Sequence, residues 1–199
     1  MSSRSGSTSG GSTGGGSSAW GGAAVPLALL LRREVASERT ASERPELHSG
    51  LFSQAKKGED FTFLKLECER VPGVPSSSFS AFGLFDGHNG NGAAIYTKEN
   101  LLNNILNAVP ADLNREDWLA ALPRALVAAF DKTDKDFQTK ARSSRTTVTF
   151  VILDGLFITV ASVGDSRCVL HAERSLYDIC SDHRFDADKR RVIVSQMWR

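Results

Sequence analysis

The stretch Phe79-Ser-Ala-Phe-Gly-Leu-Phe-Asp86-Gly87-His88-Asn89-Gly90 constrains this chain more than any other. Its first half is dense in apolar and aromatic residues and is bounded by serines and then glycines, the pattern of a buried strand. The run stops at Asp86. A carboxylate at a strand end is fixed in position yet faces a loop that a ligand can reach. Gly87 lets the backbone approach a bound ion and offers a hard carbonyl oxygen. His88 can give or take a proton near neutral pH. Asp-Gly alone is a common turn dipeptide. An EF-hand loop begun at Asp86 would need glutamate at its twelfth position, where Thr97 stands. No Gly-Lys-Ser or Gly-Lys-Thr occurs, so a Walker loop is excluded.

The surrounding chain suits one domain with appendages. Residues 1–24 are Gly/Ser low-complexity sequence and read as a flexible tail, since they cannot bury enough apolar surface to offset the entropy of ordering. Leu27, Leu30, Leu31 and Val35 have helical spacing, and residues 36–49 read as linker. The expected division is 1–49 as tail, short helix and linker, 50–186 as the folded part, and 187–199 as a divergent tail with no clean period. With 24 basic and 23 acidic side chains, net charge is +1. That gives no electrostatic case for nucleic acid or an anionic membrane, and no apolar stretch is long enough to span a bilayer. Cys68, Cys168 and Cys180 are odd in number and form no Cys-x-x-Cys, which fits a reduced, intracellular protein, cytoplasmic or nuclear. The acid-free N-terminal 33 residues are compatible with an organelle transit peptide, though simple disorder is the stronger reading.

Phe61–Cys68 suggests a half-buried strand preceding Phe79–Asp86. Ile95, Leu101, Leu102, Ile105, Leu106 and Val109 recur at helical steps until Pro110. Asn114 with Asp117 three residues on marks a second helix start. Trp118, Leu122, Leu126, Phe130, Thr133 and Phe137 keep one face, with Pro123 predicting two helices or a kinked one. Thr146–Leu153 and Leu156–Val163 flank Asp154-Gly155 as a hairpin, and Arg167–His171 with Leu176–Cys180 extends the meander. Strands, then helices, then strands argue for α+β with antiparallel sheets.

Together, Gly58-Glu59-Asp60, Phe82-Gly-Leu-Phe-Asp86-Gly87-His88-Asn89-Gly90, Thr146-Thr147-Val-Thr-Phe and Val163-Gly164-Asp165-Ser166-Arg167 resemble the metal-dependent protein phosphatases of type 2C, in wording closest to a plant subgroup. The resemblance runs from about Gly50 to Asp186. It implies a four-layer α-β-β-α sandwich of antiparallel sheets, here incomplete at the C-terminus, holding two Mg²⁺ or Mn²⁺ ions. It implies metal-site roles for Glu59, Asp60, Asp86, the Gly87 carbonyl and Asp165, and a general-acid role for His88. The implied reaction is hydrolysis of phosphoserine or phosphothreonine in phosphoprotein substrates by a monomer. Oxygen ligands suit Mg²⁺ or Mn²⁺, and two such ions can activate water and hold phosphate oxygens.

Three departures stand out. No further acidic motifs follow Asp186, so the implied metal site lacks ligands, and missing strands would expose apolar sheet surface. Arg145 stands where the family has glycine. Ala55 stands where the family has a phosphate-binding arginine, leaving Lys56 and Lys57 as nearby cations without a bidentate fork. Weak or absent activity is therefore expected of this chain, with a non-catalytic interaction module as the alternative.

Overall fold

Why the run Ser78–His88 stays in a sheet follows from its alternation. Gly83, Phe85 and Gly87 are buried, while Leu84, Asp86 and His88, alternating with them, are exposed. This computed structural model describes residues 46–54, 57–140, 143–172, 174–180 and 193–198, all within one unit, Arg39–Arg199. The elements are β1 (Phe61–Glu69), β2 (Ser78–His88), α1 (Gly92–Ala108), α2 (Arg115–Gln138), β3 (Arg145–Asp154), β4 (Phe157–Val163), β5 (Val169–Ala172), β6 (Ser175–Asp178) and β7 (Ile193–Trp198). A 3-10 turn, Pro75–Ser77, leads into β2.

Five strands form one antiparallel sheet in the order β1-β2-β3-β4-β7, and β5 pairs with β6 as a separate hairpin. One sheet face carries the main core, in which Phe85, Phe150 and Ile152 pack with Leu101, Ile105, Trp118, Leu122 and Leu126 of the two helices. Burial of such side chains contributes about 1.5–3 kcal/mol each. The other face carries a smaller cluster in which Val160, Ile179 and Cys180 pack with Val151, Ile158, Cys168 and Leu170. The described residues thus supply a helical layer, a full sheet and a hairpin beneath it, an α+β arrangement. Apolar surface is left on that second face, where Leu64 is 52% and Leu84 38% exposed.

The helix faces are those predicted. Asn114 caps α2 by accepting the Asp117 N–H at 2.8 Å. A buried polar pair joins the helices: Asn104 Nδ2 donates to Thr133 Oγ1 at 2.9 Å, and that hydroxyl donates to the Ala129 carbonyl at 2.7 Å.

One expectation is narrowed and another corrected. Of the two alternatives at Pro123, two helices is excluded, because α2 runs as one helix from Arg115 to Gln138. A proline cannot donate to the carbonyl four residues before it. Here that carbonyl, of Leu119, instead accepts Gln196 Nε2 at 2.6 Å. The donor lies in the predicted divergent tail, where Ile193–Trp198 forms β7 and pairs with β4. That short strand finds its partner over 30 residues away, so no local pattern announces it.

Asp154-Gly155 turns β3 into β4 as expected, but Asp154 is buried. Arg115 Nε donates to its Oδ1 at 2.8 Å, and Arg70 Nε lies 3.4 Å from Oδ2. Arg70 also lies over the Trp118 ring and Arg115 over that of Phe157.

Candidate metal centre

Strand register builds the site. Phe61 pairs with Phe85, so Asp60, one residue before β1, reaches the next rung beside Asp86. On the other side Asp86 pairs with Thr147, Gly87 with Thr146 and His88 with Arg145. Gly87 is buried, and a Cβ there would collide with the Glu59 carbonyl oxygen. Only glycine lets the two backbones approach this closely. The Glu59 side chain reaches the following loop, where its Oε1 accepts the Gly90 N–H at 2.9 Å. Ser144 Oγ accepts the Ala93 N–H at 3.0 Å, tying the approach to β3 onto the first turn of α1.

Asp165 arrives by a second route. Gly164 has φ +107°, and a Cβ there would overlap the Thr147 side chain. Thr147 Oγ1 and Ser166 Oγ are hydrogen-bonded at 2.8 Å, and Thr149 Oγ1 donates to the Ser166 carbonyl at 3.2 Å. The loop is thereby pinned across β3, and Asp165 enters the field of Asp86.

The electrostatics record the gathering. Partial burial, first, holds the Asp86 carboxyl above its ordinary value. The charge of Asp60, a hydrogen bond from it and the charge of Asp165 push the same way, and His88 opposes them. Crowded carboxylates of this kind are relieved by a divalent cation, and an all-oxygen donor set suits Mg²⁺ or Mn²⁺. Among the described residues, however, no three Asp, Glu, His or Cys side chains already close around one point.

Register thus sets Asp60 beside Asp86 and His88 two residues farther along the same strand, Gly87 lies against the Glu59 backbone, and the charge of Asp165 acts on Asp86. Lys57 is exposed, and Lys56 lies outside the described residues. Sequence reasoning missed Ser166 and the pairing role of Thr147. Both lie inside motifs already noted, but their hydroxyl contact spans 19 residues.

Residues 52–195 match the family model described as Protein phosphatase 2C. The chain belongs to the protein phosphatase 2C family. It is 84% identical over 170 residues to "Probable protein phosphatase 2C 15" of Oryza sativa subsp. japonica, a match covering 85% of this chain and 38% of that protein. It is 61% identical over 166 residues to "Probable protein phosphatase 2C 12" of Arabidopsis thaliana, covering 83% of this chain and 38% of the relative. The chain thus spans about two fifths of the length of these relatives. Among solved structures, a bacterial serine phosphatase carrying an arginine-to-alanine substitution superposes with a TM-score of 0.54 at 16% identity, covering 72% of this chain and 65% of that one. That likeness concerns the fold alone.

Proposed function

We propose that this chain carries the N-terminal part of a metal-dependent protein serine/threonine phosphatase. The observation that supports it is Asp86, crowded by Asp60 and Asp165 with His88 two residues along the same strand. In this reading Asp60, Asp86 and Asp165, with the Gly87 carbonyl, would hold two Mg²⁺ or Mn²⁺ ions. When bound, the ions supply an activated water and neutralise phosphate charge. His88 is exposed at the end of β2, where it can protonate the leaving serine or threonine alkoxide, a poor leaving group otherwise. Thr147 and Ser166 position Asp165. Glu59 holds the loop after β2 through Gly90 and serves the site by that contact. Phosphoproteins are the substrates, and three free thiols fit a reducing compartment. The test is manganese-dependent hydrolysis of a phosphopeptide by the 199-residue chain and by Asp86→Asn. Turnover that survives Asp86→Asn overturns the reading.

A second reading has its own support: the exposed Leu64 and Leu84 on the sheet face away from the helices, and the absence of a closed ligand trio among the described residues. On that reading the chain is a non-catalytic phosphatase-like module acting through protein contacts. Calorimetric titration with Mn²⁺ separates the two. Binding of two ions favours the enzyme, and no binding by a folded chain favours the module.

A further inference from the structure

Arg145 is the residue at the site that neither reading uses. It opens β3 directly opposite His88. Directly paired residues on adjacent strands point to the same sheet face, with Cβ atoms about 4.5–5.5 Å apart. The Arg145 side chain therefore emerges beside His88 and on the face that also carries Asp86. It is exposed, and its guanidinium forms no ion pair or hydrogen bond among the described residues. A cation at the rim of an acidic site that pairs with none of its carboxylates is left open to an external anion.

Its position selects which anion. Asp86 pairs with Thr147, and Arg145 lies two residues farther along β3, about 6.6 Å beyond the carboxylates on the His88 side. Under the phosphatase reading, on which this inference rests, His88 faces the leaving oxygen. The peptide that carries that oxygen must leave the site on the same side. We propose that Arg145 receives an acidic side chain flanking the phosphorylated residue, and so gives the site a preference for phosphopeptides with neighbouring Asp or Glu. The guanidinium fork donates two parallel hydrogen bonds to a carboxylate, which lysine cannot do. The neighbouring Ser144, tied to Ala93 at the start of α1, anchors the strand end from which the side chain projects.

The test is fluorescence anisotropy with Mn²⁺ present, using two labelled phosphothreonine peptides that differ only in Asp/Glu against Asn/Gln at flanking positions. The expected result is about fivefold tighter binding of the acidic peptide, the scale of one exposed ion pair, fading as salt is raised. Arg145→Ala should abolish that preference and leave the neutral peptide unchanged. Arg145→Lys should keep part of it, and Arg145→Glu should reverse it. No preference in the unsubstituted chain, or a preference intact in Arg145→Ala, overturns the proposal. Equal weakening for both peptides and for competing inorganic phosphate also overturns it, by assigning Arg145 to the phosphate itself. The phosphatase reading fails separately, if Asp86→Asn leaves turnover and Mn²⁺ binding intact.

Discussion

Gly87 on β2 lies against the carbonyl of Glu59, so close that a single methyl group would overlap that oxygen. This contact sets the separation between β2 and the segment that delivers Asp60. Gly87→Ala must push the two backbones apart. Overpacking of this kind costs about 1–3 kcal/mol, and here it also displaces Asp60 from Asp86. The expected outcome is a lower urea midpoint with unchanged slope, together with loss of Mn²⁺ binding in calorimetry. A substituted chain as stable as the original would show that the close approach is not needed.

Asp86 is an exposed residue, yet partial desolvation of its carboxyl and the charges of Asp60 and Asp165 all disfavour its ionised form. Replacing it by asparagine removes a charge that those neighbours repel. The metal-free Asp86→Asn chain should therefore melt no lower than the original. Its Mn²⁺ affinity should drop at least about tenfold, since charge count sets affinity for hard cations. Thermal scans with and without Mn²⁺ read both effects. A marked loss of stability without metal would mean that Asp86 has a structural role that its crowding does not suggest.

Cys168 gives a pH dependence away from the acidic site. Burial first, then the neighbouring Cys180 thiol and the charge of Asp178, push its thiol up to about 11 from an ordinary 9.0. The folded state prefers the neutral thiol. That contribution to stability is fully present below pH 9 and is lost as pH rises through about 11. At pH 8 the thiolate is about a hundredfold scarcer than in the unfolded chain, partly offset by its greater nucleophilicity. Iodoacetamide should thus label Cys168 roughly tenfold more slowly in the folded chain than in urea. Equal rates, followed by mass spectrometry, would contradict the burial seen here.

Periodicity made most of the fold legible. The helical faces of α1 and α2, the β3–β4 hairpin and the Asp86 strand end all carry their signal within a dozen residues. What stayed illegible depends on partners distant in sequence. Nothing local marks Ile193–Trp198 as a strand, because its reason for being one is β4. Asp154 reads as a turn residue, yet its carboxylate is buried against Arg115, 39 residues earlier. At the site, the acidic motifs were visible one by one. The contacts that assemble them, Thr147 with Ser166 and Gly87 with the Glu59 backbone, are tertiary and appear only with the register.

The same distance effect explains how α2 survives Pro123, and it can be measured. Without a proline N–H, the Leu119 carbonyl depends on Gln196 Nε2, which also lies 3.1 Å from Thr159 Oγ1. Gln196→Ala leaves a partly buried carbonyl unpaired and should cost about 1–2 kcal/mol. Pro123→Ala supplies an N–H to that carbonyl and relieves the ring clash, so it should stabilise the chain. The two sites share one acceptor, and their effects should not add. In the Pro123→Ala background the loss of Gln196 should be nearly harmless. Additive changes in urea unfolding would show that β7 docks on α2 through other contacts, and that the Leu119 carbonyl finds its partner elsewhere.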